Sequence, residues 1–300
     1  MKALDVNLRN EAVRWQEKLF RRSLRRQTRL CKLRQLLGTT ANQDCLEITA
    51  GDGVISQQLR LDGGNWKTMV TDSAARDAMQ FFVEHPISVF EDNTIDLPDH
   101  SFDAVVIVDA LERVLADRAL IRECHRVLRP DGRLVITAQR KLHFCLGSCP
   151  IRALLGLSWR RKGMARPGYT TREFFDVLKD GFDVPETITY STCCVEGLGL
   201  FCEAAANKLA GGPYNMPSVD TDTEQFYHYT KLYTFGTVVY PLMWLFSKIE
   251  KAMGCILPGH NMAAKTKRRV WRERRTPQLI DGRSIAEAAL NTKIGTAAPF

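Results

Sequence analysis

The 300-residue sequence has no uninterrupted apolar run of the roughly 20 residues that a membrane-spanning helix needs. The mostly apolar stretch 232–246 is broken by Gly236 and Pro241. The opening residues, Met-Lys-Ala-Leu-Asp-Val-Asn, carry no apolar signal core, so a cytoplasmic protein is expected. Internal repeats and low-complexity tracts are missing, which excludes solenoids and fibrous architectures. Nine cysteines are an odd number without a framework, and free thiols in a reducing compartment are expected. His143, Cys145 and Cys149 lie close together and Cys193 and Cys194 are adjacent, but none shows the paired two-residue gaps of a structural zinc site. No metal is expected.

What is present is an ordinary globular composition, 45% apolar and 25% charged, with a net charge of +8 that is unevenly placed. Arginines 21, 22, 25, 26, 29 and 34 with Lys32 form one basic cluster, and residues 265–275 form a second. Nucleic acid, an anionic membrane or an acidic substrate would each suit such clusters, and so would a solvated helix face.

Residues 8–37 have helical periodicity, with Val13, Phe20, Leu24 and Cys31 on an apolar stripe opposite the arginines; Gly38 ends them. Strands and helices then alternate. Strands are expected at 45–48, 67–70, 87–90, 104–108 and 133–137, and helices at 55–61, 74–83 and 120–128. Such repeats imply a parallel sheet covered on both faces. The segment 143–162 is irregular and fits a loop over a site. A helix at 171–178 capped by Thr170 or Thr171 follows, then strands at 182–189 and 260–265. For 232–246 the first reading is a core or lid helix. The second is peripheral membrane contact through 232–251, with Tyr240, Trp244, Lys248 and Lys251 at the interface.

The chemistry concentrates at Cys45-Leu-Glu-Ile-Thr-Ala-Gly-Asp-Gly53, a strand that breaks into a glycine turn and opens a helix. A turn of this kind brings backbone close to a nucleotide-like ligand, because glycine removes the Cβ and permits φ > 0. Glu47 before the turn suits a cationic or hydroxyl-bearing ligand better than a pyrophosphate. Asp72 ends the second strand about twenty residues on, where a carboxylate accepts from ribose hydroxyls or caps the next helix. A longer series follows: Asp96-Leu-Pro-Asp-His-Ser101-Phe-Asp103, a buried strand ending at Asp109-Ala-Leu-Glu112, and Leu128-Arg-Pro-Asp-Gly132 before another strand.

At these residues the chain resembles the class I S-adenosylmethionine-dependent methyltransferases, strongly over 44–140 and weakly through Gly168-Tyr169-Thr170 and Gly181-Phe182. The resemblance implies a Rossmann-like, mostly parallel seven-stranded α/β sheet, S-adenosylmethionine as cofactor, and methyl transfer by in-line displacement. It implies a cofactor site at Glu47, Thr49, Ala50, Gly51, Gly53, Asp72, Asp92 or Asn93, Asp109 and Ala110. Thr49 stands where the family usually has glycine, and Asp131 replaces the first glycine of a Pro-Gly-Gly turn. His143 lies where this fold often places substrate contacts, with Tyr169 and Arg166 as further candidates. The expected organisation is an N-terminal basic helical region (1–37), a methyltransferase domain (38–267) with a helical insertion near 205–255, and a tail (268–300). Acceptors considered are a small molecule, a sugar or glycan, and a lipid-linked compound. The alternatives are a nucleic-acid methyltransferase or binding module, a non-catalytic scaffold, and an NAD-dependent oxidoreductase. The first lacks an Asn-Pro-Pro-Tyr-like strand end, and the last lacks a third glycine, having Ser56 there.

Overall fold

The computed structural model describes residues 6–51, 53–80, 83, 85–90, 94–141, 159, 163–191, 193–209, 223–252 and 259–272. In chain order the elements are α1 (Val6–Arg21), α2 (Leu24–Leu37), β1 (Asp44–Thr49), α3 (Val54–Arg60), β2 (Asn65–Val70), α4 (Ser73–Met79) and β3 (Ile87–Val89). They continue as β4 (Phe102–Val108), α5 (Asp117–Val127), β5 (Leu128–Gln139), α6 (Thr171–Leu178), β6 (Phe182–Tyr190), α7 (Cys193–Leu209), α8 (Thr223–Ala252) and β7 (Asn261–Arg268).

The seven strands form one sheet in the order β3-β2-β1-β4-β5-β7-β6. The first five pair in parallel, and β7 runs antiparallel between β5 and β6. Strand order reverses at the β1–β4 pair, so the carboxyl ends of these two strands border the crevice where ligands of open α/β sheets bind. The strands alternate their apolar cargo between two cores. Val105 and Ile107 of β4 join Leu120, Ile121, Phe174 and Leu178 on the α5 and α6 side. Ala104, Val106 and Val108 join Leu33, Val54, Leu59 and Met79 on the other.

Two local expectations are revised. The helical region 8–37 is two helices, because Ser23 is extended (φ −111°, ψ 94°) and resets the helical phase. Leu30, Leu33, Leu36 and Leu37 are consequently the buried face of α2, and Cys31 is exposed. The Pro130–Gly132 turn is absorbed into β5 as an irregularity, with the β4–β5 register shifting between Phe102 and Ala104. Gly132 is required there, since a Cβ would lie 2.8 Å from the Arg129 carbonyl oxygen. The first residues after β7 pack back on the domain: Arg269 N–H donates to the Gly181 carbonyl, and the Trp271 ring lies edge-on to His125 at 5.2 Å. None of the described helices is long and apolar enough to cross a membrane.

Candidate cofactor and acceptor site

β1 ends at Thr49 and the chain turns through Ala50 and Gly51 to Gly53, which sits at φ 89°, ψ −13°, left-handed space that a side chain disfavours. Thr49 is buried and turns its Oγ1 inward to accept from the Gly51 N–H at 3.1 Å. The same oxygen would lie 3.2 Å from a Cβ on Gly51, so turn and threonine fit closely. A β-branched residue is tolerated at the usual glycine position because its hydroxyl closes the turn.

Glu47 points into the α3 side of the sheet and is fully buried. Its carboxylate accepts from Ser56 Oγ at 2.5 Å and pairs with Arg60 at 3.1 Å, and Arg60 also donates to Thr68. Burial pushes the Glu47 carboxyl upward, opposed by Arg60 and Ser56. The side chain thus clamps α3 to β1 and β2, positioning the turn from beneath.

Asp72 combines both roles open to it. Its Oδ1 accepts from Ala75 N–H at 2.7 Å as the N-cap of α4. Its Oδ2 is shared by Thr71 Oγ1 (3.2 Å) and Arg113 (3.4 Å), and the side chain stays partly exposed. The Thr71 N–H donates to the Thr49 carbonyl, which locks this strand end beside the glycine turn.

Asp109 follows β4 at φ 52°, a conformation that costs a non-glycine residue on the order of 1 kcal/mol and often marks a functional site. Its N–H donates to Thr137 Oγ1 at 3.3 Å, and its carboxylate forms an ion pair with Arg29 of α2. Ala110 is fully buried beside it. Arg29 also interacts with the Tyr190 hydroxyl, and the negative charge of Asp109 favours its charged form, against burial. Burial raises the Tyr190 hydroxyl. Glu112 lies one turn further on. Its Oε1 accepts from the Gln139 N–H, and its Oε2 is buried with no hydrogen-bond partner among the described residues. Burial, then the charge of Asp109, push its carboxyl up to about 7. The Glu112 carbonyl accepts from the N–H groups of Ala165 and Arg166, holding the segment before α6 against this edge.

Of the remaining candidates, Arg166 and Tyr169 are committed to structure. Arg166 pairs with Asp117 at 2.6 Å, and the buried Tyr169 hydroxyl donates to the same carboxylate at 2.9 Å. Asp92, Asn93 and His143 lie outside the described residues. Sequence reasoning missed Arg29, Glu112 and Tyr190. Arg29 was hidden in a basic stripe; Tyr190 joins the edge only through the fold.

The sequence comparison agrees with this geometry. Residues 46–136 match the family model described as a methyltransferase domain. A demethylmenaquinone methyltransferase from Mycolicibacterium paratuberculosis is 30% identical over 127 residues, covering 42% of this chain and 51% of that protein. One from Tropheryma whipplei is 28% identical over 109 residues, 34% of this chain and 44% of that protein. A 2-phytyl-1,4-naphtoquinone methyltransferase from Nostoc sp. is 27% identical over 109 residues, 33% of this chain and 48% of that protein. The chain therefore spans about half the length of the curated relatives it matches. Among solved structures, a geranyl diphosphate C-methyltransferase from Streptomyces coelicolor shares the fold, with TM-score 0.51 and 12% identity over 81% of this chain and 76% of that one. Residues 46–136 thus match a methyltransferase domain, and the sheet around them has the fold of that methyltransferase, which was solved with S-adenosyl-L-homocysteine.

Proposed function

We propose that the protein transfers a methyl group from S-adenosylmethionine to a small-molecule acceptor carrying a hydrocarbon chain. One observation carries the reading: the left-handed Gly53 turn and the Asp72 carboxylate are held side by side at the reversal of strand order. The residues present fit the cofactor. Gly51 and Gly53 leave room for close backbone approach, and Asp72 retains a partly exposed carboxylate oxygen suited to hydroxyl donors. Thr49, Ala50, Gly51, Gly53, Asp72, Asp109 and Ala110 would hold it, with Asp92 or Asn93 toward the adenine and Glu47 supporting the turn from below.

When bound, S-adenosylmethionine supplies an electrophilic sulfonium methyl group. The chain's contribution is alignment and exclusion of water. Arg29 draws α2 down onto Asp109 and so covers the carboxyl edge of β4. Asp72, held by Arg113, would accept from the ligand's hydroxyls. Glu112 positions the ends of β4 and β5 through Gln139 and can hold a proton on its buried carboxyl near neutral pH. His143 is retained as the candidate substrate contact.

The acceptor class draws on the relatives: the printed name of one, 2-phytyl-1,4-naphtoquinone methyltransferase, describes a ring bearing a hydrocarbon chain. Among small-molecule, glycan and lipid-linked acceptors this favours the last. The nucleic-acid reading loses support because its basic stripe is used internally. Arg25 pairs with Glu196 and Glu203, Arg29 with Asp109, and Arg22 stacks on Tyr233 and Tyr240.

Calorimetric titration of S-adenosylmethionine, S-adenosylhomocysteine and NAD tests the reading. Micromolar binding of the first two, lost in folded Gly53→Val and weakened in Asp72→Ala, is the expected result. Binding of NAD alone, or of none by folded protein, would sink it.

A further inference from the structure

The long helix α8 packs on α1 and α2 by one side. Tyr233 lies edge-on to Trp15 at 6.2 Å, Tyr233 and Tyr240 carry the Arg22 guanidinium, and Met243 is buried. The helix also packs on α7, and its C-terminal half leaves an apolar row open to solvent. Val238 (73% exposed), Leu242 (46%), Leu245 (50%) and Ile249 (43%) recur at spacings of four, three and four residues, which places them on one stripe. Phe246 extends the exposed apolar surface on one side, and Trp244, one turn beyond Tyr240, is exposed at the edge of the packed face. A contiguous surface of this kind marks an interaction site rather than a random scatter of apolar residues.

We infer that this face of α8 docks the protein on an anionic lipid bilayer. The stripe alone would also suit a second helix, but its flanks do not. A paired helix has charged residues on both sides of the seam, whereas here Phe246 stands on one flank and Pro241 beside Lys248 on the other, and the stripe is shorter than the three to four heptads a coiled coil sustains. Aromatic and aliphatic side chains facing outward with a cation at the rim are the composition of a helix lying in the headgroup region. Lys248 is that cation, its ammonium 5.2 Å from the Trp244 ring. The net charge of +8 adds attraction to anionic headgroups. α8 also adjoins α2, the helix that carries Arg29 to the site edge, so docking would bring a chain-bearing acceptor close to the chemistry. The argument stands on α8 itself and survives if the methyl-transfer reading fails.

Flotation of the full chain with phosphatidylcholine vesicles, with and without phosphatidylglycerol, tests this. The expected result is co-flotation that needs phosphatidylglycerol and is at least about tenfold weaker in the L242S/L245S variant, since two leucines lose their apolar burial. Lys248→Glu should also weaken it, and Ile249→Ser serves as a milder variant should the double one misfold. Circular dichroism and cofactor titration should match the parent. No flotation of the parent, or equal flotation of the folded variants, overturns the inference. A lipid-free dimer seen by sedimentation and abolished by L242S/L245S overturns it in favour of self-association.

Discussion

Arg29, on the second helix of the N-terminal pair, forms an ion pair with Asp109, eighty residues away at the carboxyl end of β4. The partner is in left-handed backbone space and sits where the fold binds its ligand. A helix outside the core sheet thereby becomes part of the candidate site. Replacing Arg29 with Ala should lower stability by about 1–2 kcal/mol, the value discounted because both groups keep some solvent contact. Cofactor affinity should fall in parallel. Denaturant titration of Arg29→Ala, Asp109→Asn and the double variant checks this: purely additive losses would mean that the pair does not couple.

Glu112 predicts a pH dependence. Its carboxyl is raised from 4.5 to about 7 in the folded protein. Below the lower value both folded and unfolded chains carry the proton. Between the two values only the folded chain keeps it, so stability is lost as pH rises across that window. The total effect is on the order of 3 kcal/mol at most. Burial drives the shift, with the charge of Asp109 adding to it, while the Gln139 N–H and Arg29 oppose it. Glu112→Gln should therefore gain stability over the parent near neutral and alkaline pH and gain none in acid. Parallel pH–stability curves for the two proteins would refute the assignment.

Thr49 separates turn closure from ligand access. Thr49→Val removes the acceptor for the Gly51 N–H and should cost about 1 kcal/mol of stability. Thr49→Gly should free that N–H and widen the turn, so S-adenosylmethionine should bind more tightly despite a looser strand end. Calorimetry on both variants decides it, and unchanged affinity in Thr49→Gly would show that Thr49 does not restrict the site.

Asp72 caps α4 with one oxygen, and its other oxygen, held by Thr71 and Arg113, belongs to a partly exposed side chain. Asparagine is a good N-cap but carries no charge, so Asp72→Asn should keep stability within about 0.5 kcal/mol of the parent while weakening cofactor binding. Asp72→Ala should lose both, with about 1 kcal/mol from the cap. Equal cofactor affinity in Asp72→Asn and the parent would assign Asp72 to capping alone.

Much of the fold was legible because its signals are local. The apolar runs at 45–48 and 104–108, the glycines of the turn and Asp72 at the second strand end each follow from neighbouring residues and chain stereochemistry. They sufficed for a parallel sheet and for the likeness to a methyltransferase domain. The break at Ser23 was not legible, because the basic residues around it carry helical periodicity straight through the kink. Nor was the use of the arginines: a charged stripe on a helix looks the same whether it faces water or buried carboxylates. Only the fold decided that Arg25 meets Glu196 and that Arg29 meets Asp109, since those carboxylates come from α7 and the residue after β4. The same holds for Glu47, whose charge suggested a ligand contact but whose place on the α3 face gives it to Ser56 and Arg60. Sequence periodicity located the buried strands, because burial there follows local pattern and solvent. Which charges neutralise one another depends on chain segments far apart meeting in space, and that belongs to the tertiary structure.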